Sequence, residues 1–424
     1  MGKVKVSQLF RVIICAVTLY TLGFDKIITL PGSYFVYDIL IAAIGVLLAL
    51  YVKNKTHSNM NLRIQCKALS NYLMICLGII LIEMIYSVIT YGYNIVQILI
   101  IIRKYFYIFY AYPIIYIFTI DDDMYKFTKT IYWISMFLLG IKFIVWYLYN
   151  FKGITVFSGL LFQYSEGWAR NGFIRMDTGA LFGIVLCVTL YYCFAKKQLL
   201  YWLVLAFLYI YLLFVTQYRF QIIVTIVLTA YGYYCSTDSS RKKTVKLMTI
   251  SIIIIAFVLF GGLDYILDLF SLNGMDGGST EARLLTIEHY WNLIKEKGAI
   301  LGVGFLSAYT DKAFSILRKS DTDRFWLEDL GILGGIFTFG ILSLLLYGKL
   351  FFDSIKRTFV SHRIRKIDDR DDRFKKCVAV YMMLSCILLN IFDAQRIWSM
   401  PFYLSVIYFN QNLPKTNKQK GVIV

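Results

Sequence analysis

The stretch Ser271-Leu-Asn-Gly-Met-Asp-Gly-Gly-Ser-Thr-Glu-Ala-Arg283, with Leu301-Gly-Val-Gly-Phe305 and Asp323-Arg-Phe-Trp-Leu-Glu-Asp-Leu-Gly-Ile-Leu-Gly334, decides how this chain is organised. Residues 271–334 form the one long region dense in Gly, Arg, Asp and Glu, whereas the rest of the sequence is one hydrophobic segment after another. We therefore expect the functional site to be built around this region.

A helix is predicted from about Glu281 to Lys297, and residue types that commonly cap helices precede it: Asp276, Ser279 and Thr280. Apolar residues then recur at spacings of three and four, which predicts a stripe resting on the membrane-facing surface of the protein: Leu284, Ile287, Trp291 and Ile294. Gly298 is expected to end this helix. Gly302 and Gly304 permit either tight backbone packing or donation of backbone N–H groups to a ligand.

Composition sets the class of the whole chain. Of its 424 residues 59% are hydrophobic and 17% are charged, which excludes the water-soluble globular classes. We expect one all-α polytopic membrane domain over residues 1–424, because only helices or closed barrels satisfy their backbone inside a bilayer. The scattered cysteines are interpreted as small core residues, and no residue cluster predicts a metal site or a cofactor.

Twelve apolar segments are long enough to be transmembrane helices. They lie at about 8–30, 35–52, 69–92, 95–119, 127–149, 177–195, 198–216, 219–235, 246–264, 331–352, 376–393 and 395–412. The first is expected to be a retained anchor and not a cleaved signal peptide.

Basic residues cluster in alternate connections, which the positive-inside rule assigns to the cytoplasm together with both termini. The largest of these is the basic loop 353–376. Two longer segments are then predicted to be extracytoplasmic, a first loop at 150–176 and a main catalytic loop at 265–330. The net charge of +18 is thus mostly a topology signal, and no nucleic-acid partner is expected.

Two groups of charged residues point to an outward-facing polar cavity. Four arginines lie in the outer loops or at a helix mouth: Arg170, Arg175, Arg219 and Arg283. Four ionisable residues lie within predicted spans near their outer ends, where an unpaired charge costs several kcal/mol unless it is wet: Glu83, Arg103, Lys104 and Lys142. These four either line a cavity, or Glu83 pairs with Arg103 or Lys142 as a structural bridge.

Arginine matches phosphate oxygens bidentately, so the arginines suit a pyrophosphate. The sequence has no nucleotide-binding loop, and Asp121-Asp-Asp123 is interpreted as a solvated cytoplasmic turn that caps the next helix. A lipid-linked donor is therefore favoured over a soluble nucleotide sugar.

The segments Phe214-Val-Thr-Gln-Tyr-Arg-Phe220, Glu281-Ala-Arg283 with Trp291, Leu301-Gly-Val-Gly-Phe305 and Leu330-Gly-Ile-Leu-Gly334 resemble, in order and spacing, the O-antigen polymerase and ligase superfamily. The motifs cover roughly residues 150–345. The resemblance implies a GT-C-like fold of about 12 transmembrane helices and a glycosyltransferase that makes O-antigen, capsular or other exopolysaccharide. It implies that the substrate is a polyprenyl-pyrophosphate-linked oligosaccharide. The implied partners are membrane lipids, a chain-length regulator and a flippase.

The same resemblance implies that Arg219 and Arg283 hold the pyrophosphate, with Arg170 and Arg175 as further candidates. The ligases place a histidine before the returning span, whereas this chain has Ser320-Asp-Thr-Asp-Arg324 there, which favours the polymerase reading. The candidates for the catalytic base are Asp323, His289 and its neighbour Glu288.

Two alternatives stay open at this point. One is a ligase that transfers the glycan to another acceptor. The other is a lipid-linked oligosaccharide flippase or other secondary transporter that uses Glu83 and Lys142 as intramembrane sites.

Overall fold

The computed structural model describes residues 2–28, 33–161, 169–170, 172–237, 239–259, 277–297, 300–318, 324–360, 369–388 and 391–410. The chain is mostly helical. In order, the longer helices are Gly2–Thr21, Tyr34–Lys55, Met60–Tyr91, Ile95–Asp121, Met124–Lys152, Phe182–Phe194, Leu199–Thr216, Arg219–Cys235, Ser240–Leu259, Gly277–Lys297, Ile332–Phe339, Leu342–Ile355, Asp369–Ser385 and Ile397–Tyr408. Short helices lie at Phe24–Lys26, Ser158–Leu161, Asp311–Leu317, Leu327–Leu330 and Lys356–Val360.

Among the described residues, five helices are long and apolar enough to cross a membrane: Tyr34–Lys55, Met60–Tyr91, Ile95–Asp121, Met124–Lys152 and Leu199–Thr216. Two shorter apolar helices are Phe182–Phe194 and Ile397–Tyr408. Each of the twelve predicted segments overlaps a helix of the structure. These observations fit an all-α membrane protein, while the number of twelve spans stays a prediction.

The segment predicted as a span at 331–352 is broken into two helices, Ile332–Phe339 and Leu342–Ile355. Gly340, with φ of +54°, makes the break. A break leaves helix carbonyls without their usual N–H donors. Here the backbone N–H groups of Val303 and Gly304 donate to the carbonyls of Phe337 and Thr338, at 2.8 and 3.0 Å.

The other edge of residues 300–307 is fastened to the helix Met60–Tyr91 and the residues that follow it. The Tyr91 hydroxyl donates to the Val303 carbonyl, and the Phe305 N–H donates to the Ser87 hydroxyl at 2.8 Å. Tyr93 bonds the backbone of Ser307. The glycines of this motif therefore serve close packing, and the N–H groups of Val303 and Gly304 are not available to a ligand.

The helix predicted at 281–297 is present and begins earlier, at Gly277. Ser279 and Thr280 lie inside it and do not cap it, whereas Asp276 and Gly298 lie outside the described residues. Two residues of the predicted apolar stripe, Ile287 and Ile294, pack against the core, whereas Leu284 and Trp291 are half exposed. The most deeply buried described residues of this helix are Thr286 and Tyr290.

Tyr290 shows how this helix packs. Its ring stacks on Phe337 with 5.9 Å between centroids, and its hydroxyl donates to the Phe325 carbonyl at 3.3 Å. An aromatic ring with a polar tip is buried readily when both its faces and its hydroxyl find partners. The helix thus packs on the segment that returns from the loop.

The loop predicted at 150–176 contains a small antiparallel hairpin, Ala169–Arg170 with Phe173–Ile174. The Asn150 side chain holds it to the helix Met124–Lys152, accepting from the Ile174 N–H at 2.9 Å. The hairpin leads directly into residues 176–180, which form part of the site described below.

The acidic turn 121–123 is only partly as predicted. Asp123 caps the helix Met124–Lys152 and accepts from the Tyr125 N–H at 2.7 Å, as expected. Asp121, however, is not a solvated residue, because it forms an ion pair with Arg11 and is largely buried.

Candidate functional site

A cavity of about 550 Å³ lies where helix ends converge. Its wall comes from the end of the first helix and the turn after it, from the starts of the helices Tyr34–Lys55 and Arg219–Cys235, from residues 177–180 and from residues 391–399. All of these ends are on the side that the charge pattern predicts to be extracytoplasmic.

Five cationic and three anionic side chains line this cavity within the part of the chain that the structure describes, an excess of two positive charges. The cations are Lys26, Arg103, Lys104, Lys142 and Arg396, and the anions are Asp25, Asp38 and Asp177. Aromatic side chains complete the wall: Tyr20, Tyr34, Tyr107, Tyr218, Tyr381, Tyr403 and Trp398.

Asp38 organises one half of the cavity. Its carboxylate accepts from Arg103 Nε at 2.9 Å and Nη2 at 2.8 Å, and from the Tyr107 and Tyr20 hydroxyls at 2.9 and 3.2 Å. Lys104 Nζ lies 4.0 Å away. The backbone tightens to a 3₁₀-helix over Arg103–Tyr110, which brings Arg103, Lys104 and Tyr107 to the same wall.

Asp177 organises the other half through an ion pair with Lys142. Its carboxylate also accepts from the Gly179 N–H at 3.1 Å, and its carbonyl accepts from the Tyr211 hydroxyl at 2.9 Å. Lys142 is 6% exposed, so a buried ammonium is matched by a carboxylate held in a fixed turn.

Three of the four ionisable residues predicted to line a cavity do so: Arg103, Lys104 and Lys142. Glu83 is not among the residues of the wall, although it is fully buried. The proposed bridge from Glu83 to Arg103 or Lys142 is also wrong, because those cations pair with Asp38 and Asp177. Sequence position gives the depth of Glu83 along its helix but not the direction in which it points.

Lys26, Arg396 and Asp25 were not identified from the sequence. Lys26 lies within electrostatic range of Asp177, Asp25, Lys142 and Lys104, and Arg396 contacts Asp393 with Nη1 and Oδ2 3.3 Å apart. Asp25 and Lys26 are adjacent, and Arg396 follows Asp393 by three residues. Such charged residues near the end of an otherwise apolar segment are the signal that could have identified them.

The predicted arginines lie around the cavity at different distances. Arg219 begins the helix Arg219–Cys235 and is half buried, and its neighbours Tyr218 and Gln221 line the wall. Burial and the Asp177 charge raise the pKa of the Tyr218 phenol, whereas Arg396 and Arg175 lower it, so Arg175 is also close to this wall. Arg170 lies in the first hairpin strand, and its side chain is outside the described part of the structure.

Arg283 does not line the cavity. It is half buried in the helix Gly277–Lys297, on the side of Thr286 and Tyr290. Its Nε is buried and has no hydrogen-bond acceptor among the described residues. Arg219 and Arg175 thus lie near residues of the cavity wall without being part of it, and Arg283 lies in the adjoining loop.

The residues predicted as catalytic base differ in their structural environments. His289 stacks on Phe325 with ring centroids 4.1 Å apart, and its Nε2 lies 2.9 Å from the Ile316 carbonyl, so that nitrogen carries the hydrogen and fastens the loop. Glu288 is exposed. Neither lines the cavity, and Asp323 lies outside the described residues.

Glu328, which was not predicted as a site residue, lies close to the charges of Arg396 and Asp393. Burial raises the pKa of Glu328 to about 6, and the charges of Asp393 and Asp329 add to the rise while Arg396 opposes it. The short helix Leu327–Leu330 holds Glu328 where the loop returns to the helices.

These helices, with a charged cavity among their ends, define an all-α membrane protein. No protein-family model matches the chain, and no curated protein matches it.

Proposed function

We propose that this protein is a polysaccharide polymerase of the O-antigen polymerase type, located in a bacterial plasma membrane with both termini in the cytoplasm. It joins polyprenyl-pyrophosphate-linked oligosaccharide repeat units on the outer face of that membrane. The reaction is a metal-independent glycosyl transfer that inverts the anomeric centre.

The observation that carries the proposal is the set of five cationic side chains in one cavity at the helix ends. A pyrophosphate that bridges a lipid and a sugar carries about two negative charges, which matches the excess of positive charge in the wall. Ion pairs with Asp38 and Asp177 hold Arg103 and Lys142 in place before a ligand arrives. A site with fixed cations needs little reorganisation when charge develops on a leaving group.

The tyrosines and Trp398 support a sugar ligand in the same cavity. Aromatic rings with hydroxyl or N–H tips offer both an apolar face and hydrogen bonds. Trp398 Nε1 is buried and has no acceptor within the described part of the chain. The site therefore combines groups for a pyrophosphate with groups for the adjoining sugars.

In the proposed reaction the acceptor is a hydroxyl at the non-reducing end of a new repeat unit. Its oxygen attacks the anomeric carbon of the growing chain, and the bond from that carbon to the pyrophosphate oxygen breaks. The electron pair leaves with the lipid pyrophosphate. The cavity cations stabilise this charge, and in this proposal Arg219 and Arg283 approach the bound pyrophosphate and add further hydrogen-bond donors.

The test is polymerisation by the purified protein in liposomes. The substrate is the polyprenyl-pyrophosphate-linked repeat unit extracted from source cells that lack this protein. We expect a ladder of products, and the pair Arg103→Gln with Lys104→Gln should lower the rate by roughly 100-fold because the leaving charge loses two partners. Lys312→Gln, an exposed lysine of the loop, is the matched control and should leave the ladder unchanged.

Other products contradict the proposal. Transfer of a single repeat unit to a different acceptor indicates a ligase. Movement of the lipid-linked unit across the bilayer without any chain growth indicates a transporter.

A further inference from the structure

Asp25 lies in the cavity wall, but it was not predicted as a site residue and it does not take part in the ion pairs described above. It lies in the short helix Phe24–Lys26 that follows the turn at Gly23, where φ is +95°. The side chain is 6% exposed and forms part of the cavity wall. The fold thus places a buried carboxyl group in the wall of a charged cavity.

The other two carboxylates of the wall are committed to cations. Asp38 holds Arg103 and two tyrosine hydroxyls, and Asp177 holds Lys142. Asp393, behind the wall, pairs with Arg396 and accepts from the Gln395 N–H at 3.0 Å. Within the described part of the chain, Asp25 forms no ion pair and no hydrogen bond to another side chain. Its carboxylate accepts from the backbone N–H groups of Asp25 and Lys26 and lies near the Lys26 charge.

Two base candidates from the sequence, His289 and Glu288, do not share this position, and the third, Asp323, lies outside the described residues. His289 is engaged with Ile316 and Phe325, and Glu288 is exposed; neither lines the cavity. A base must reach the hydroxyl proton within hydrogen-bond distance. A carboxylate in the cavity wall can reach a hydroxyl held there.

We propose that Asp25 is the base that takes the proton from the acceptor hydroxyl during glycosyl transfer. This role rests on the proposed polymerase function. The acceptor O–H bond breaks and its proton passes to an Asp25 carboxylate oxygen, while the acceptor oxygen bonds to the anomeric carbon. The bond to the pyrophosphate breaks with its electron pair, and Asp25 later releases the proton to water.

The test compares Asp25→Asn with the wild type in two measurements. One is chain growth with the extracted lipid-linked repeat unit, and the other is binding of geranylgeranyl pyrophosphate, a donor analogue without sugar. Asparagine keeps the shape but cannot take a proton, so chain growth should fall by roughly 100-fold or more while analogue binding changes less than about 3-fold. Asp311→Asn, an exposed aspartate on the outer helix Asp311–Leu317, is the matched control.

A second variant distinguishes loss of the base from loss of the folded structure as the cause of slow chain growth. Asp25→Ala should be equally slow, and added formate should restore part of its chain growth because a small carboxylate can enter the vacated space. Formate should not change the rate of Asp311→Asn.

Three results overturn the role of Asp25: normal chain growth by Asp25→Asn, loss of analogue binding in that variant, or no response of Asp25→Ala to formate. A wild-type protein that makes no polymer overturns the proposed function itself. The two failures are therefore distinguishable.

Discussion

Asp38 is the residue on which the arrangement of cavity cations depends most. Its carboxylate is 6% exposed and accepts from a guanidinium and two phenols. Asp38→Asn removes the charge and leaves Arg103 buried without its partner, which typically costs roughly 3–5 kcal/mol. We expect a clearly lower melting temperature in detergent and weaker pyrophosphate binding, whereas the exposed Glu296→Gln should change neither.

The guanidinium groups of Arg219 and Arg283 provide a second test at the level of single residues. Lysine keeps the charge but loses the planar pair of donors, so Arg219→Lys and Arg283→Lys should each remove most chain growth while the protein stays folded. The measurement is the product ladder at equal amounts of protein in liposomes. If both variants give the same product ladder as the wild type, neither arginine binds the pyrophosphate.

Ionisation of Glu328 should make the free energy of unfolding depend on pH. Its pKa rises from 4.5 to about 6 because of burial first and the Asp393 charge second. Because the pKa of Glu328 is higher in the folded protein, its protonated form stabilises the fold at low pH. This stabilisation is lost as pH rises from about 4.5 through 6. Glu328→Gln cannot ionise, so it should be about 2 kcal/mol more stable than the wild type at pH 7.5 and no more stable at pH 4. Thermal unfolding at both pH values measures this, and an equal gain at both contradicts it.

At the scale of elements, the strip 300–307 links the loop to the helices through backbone contacts. Gly302 has φ of +63°, and a Cβ atom there would lie 2.3 Å from the Phe337 carbonyl oxygen. Gly302→Ala should therefore separate the strip from the broken helix and destabilise the protein by several kcal/mol. Gly78→Ala is the control, because a Cβ there meets nothing within 4 Å and alanine favours a helix. Equal melting temperatures for the two variants contradict this role.

The sequence predicted the helices well because hydrophobic length is a local property. It also identified Arg103, Lys104 and Lys142, since a charge within an apolar segment is visible without any fold. It could not identify their partners, because Asp38 lies 65 residues from Arg103 and Asp177 lies 35 residues from Lys142. The burial of Tyr290 was missed for a related reason, since Tyr290 finds its partners at Phe325 and Phe337 only in the folded chain.

At the scale of the whole molecule, the cavity, the hairpin and the loop helix lie on one side of the helices, which the charge pattern assigns to the outside. Labelling with a membrane-impermeant maleimide tests that side through three exposed serines. Ser315→Cys should react in intact cells, whereas Ser58→Cys and Ser239→Cys should react only after permeabilisation. The wild type sets the background, because six of its eight cysteines are buried and two are half buried. Labelling of Ser58→Cys but not Ser315→Cys in intact cells would place the cavity in the cytoplasm, where extracytoplasmic repeat units cannot reach it, and polymerisation would be the wrong function for this site.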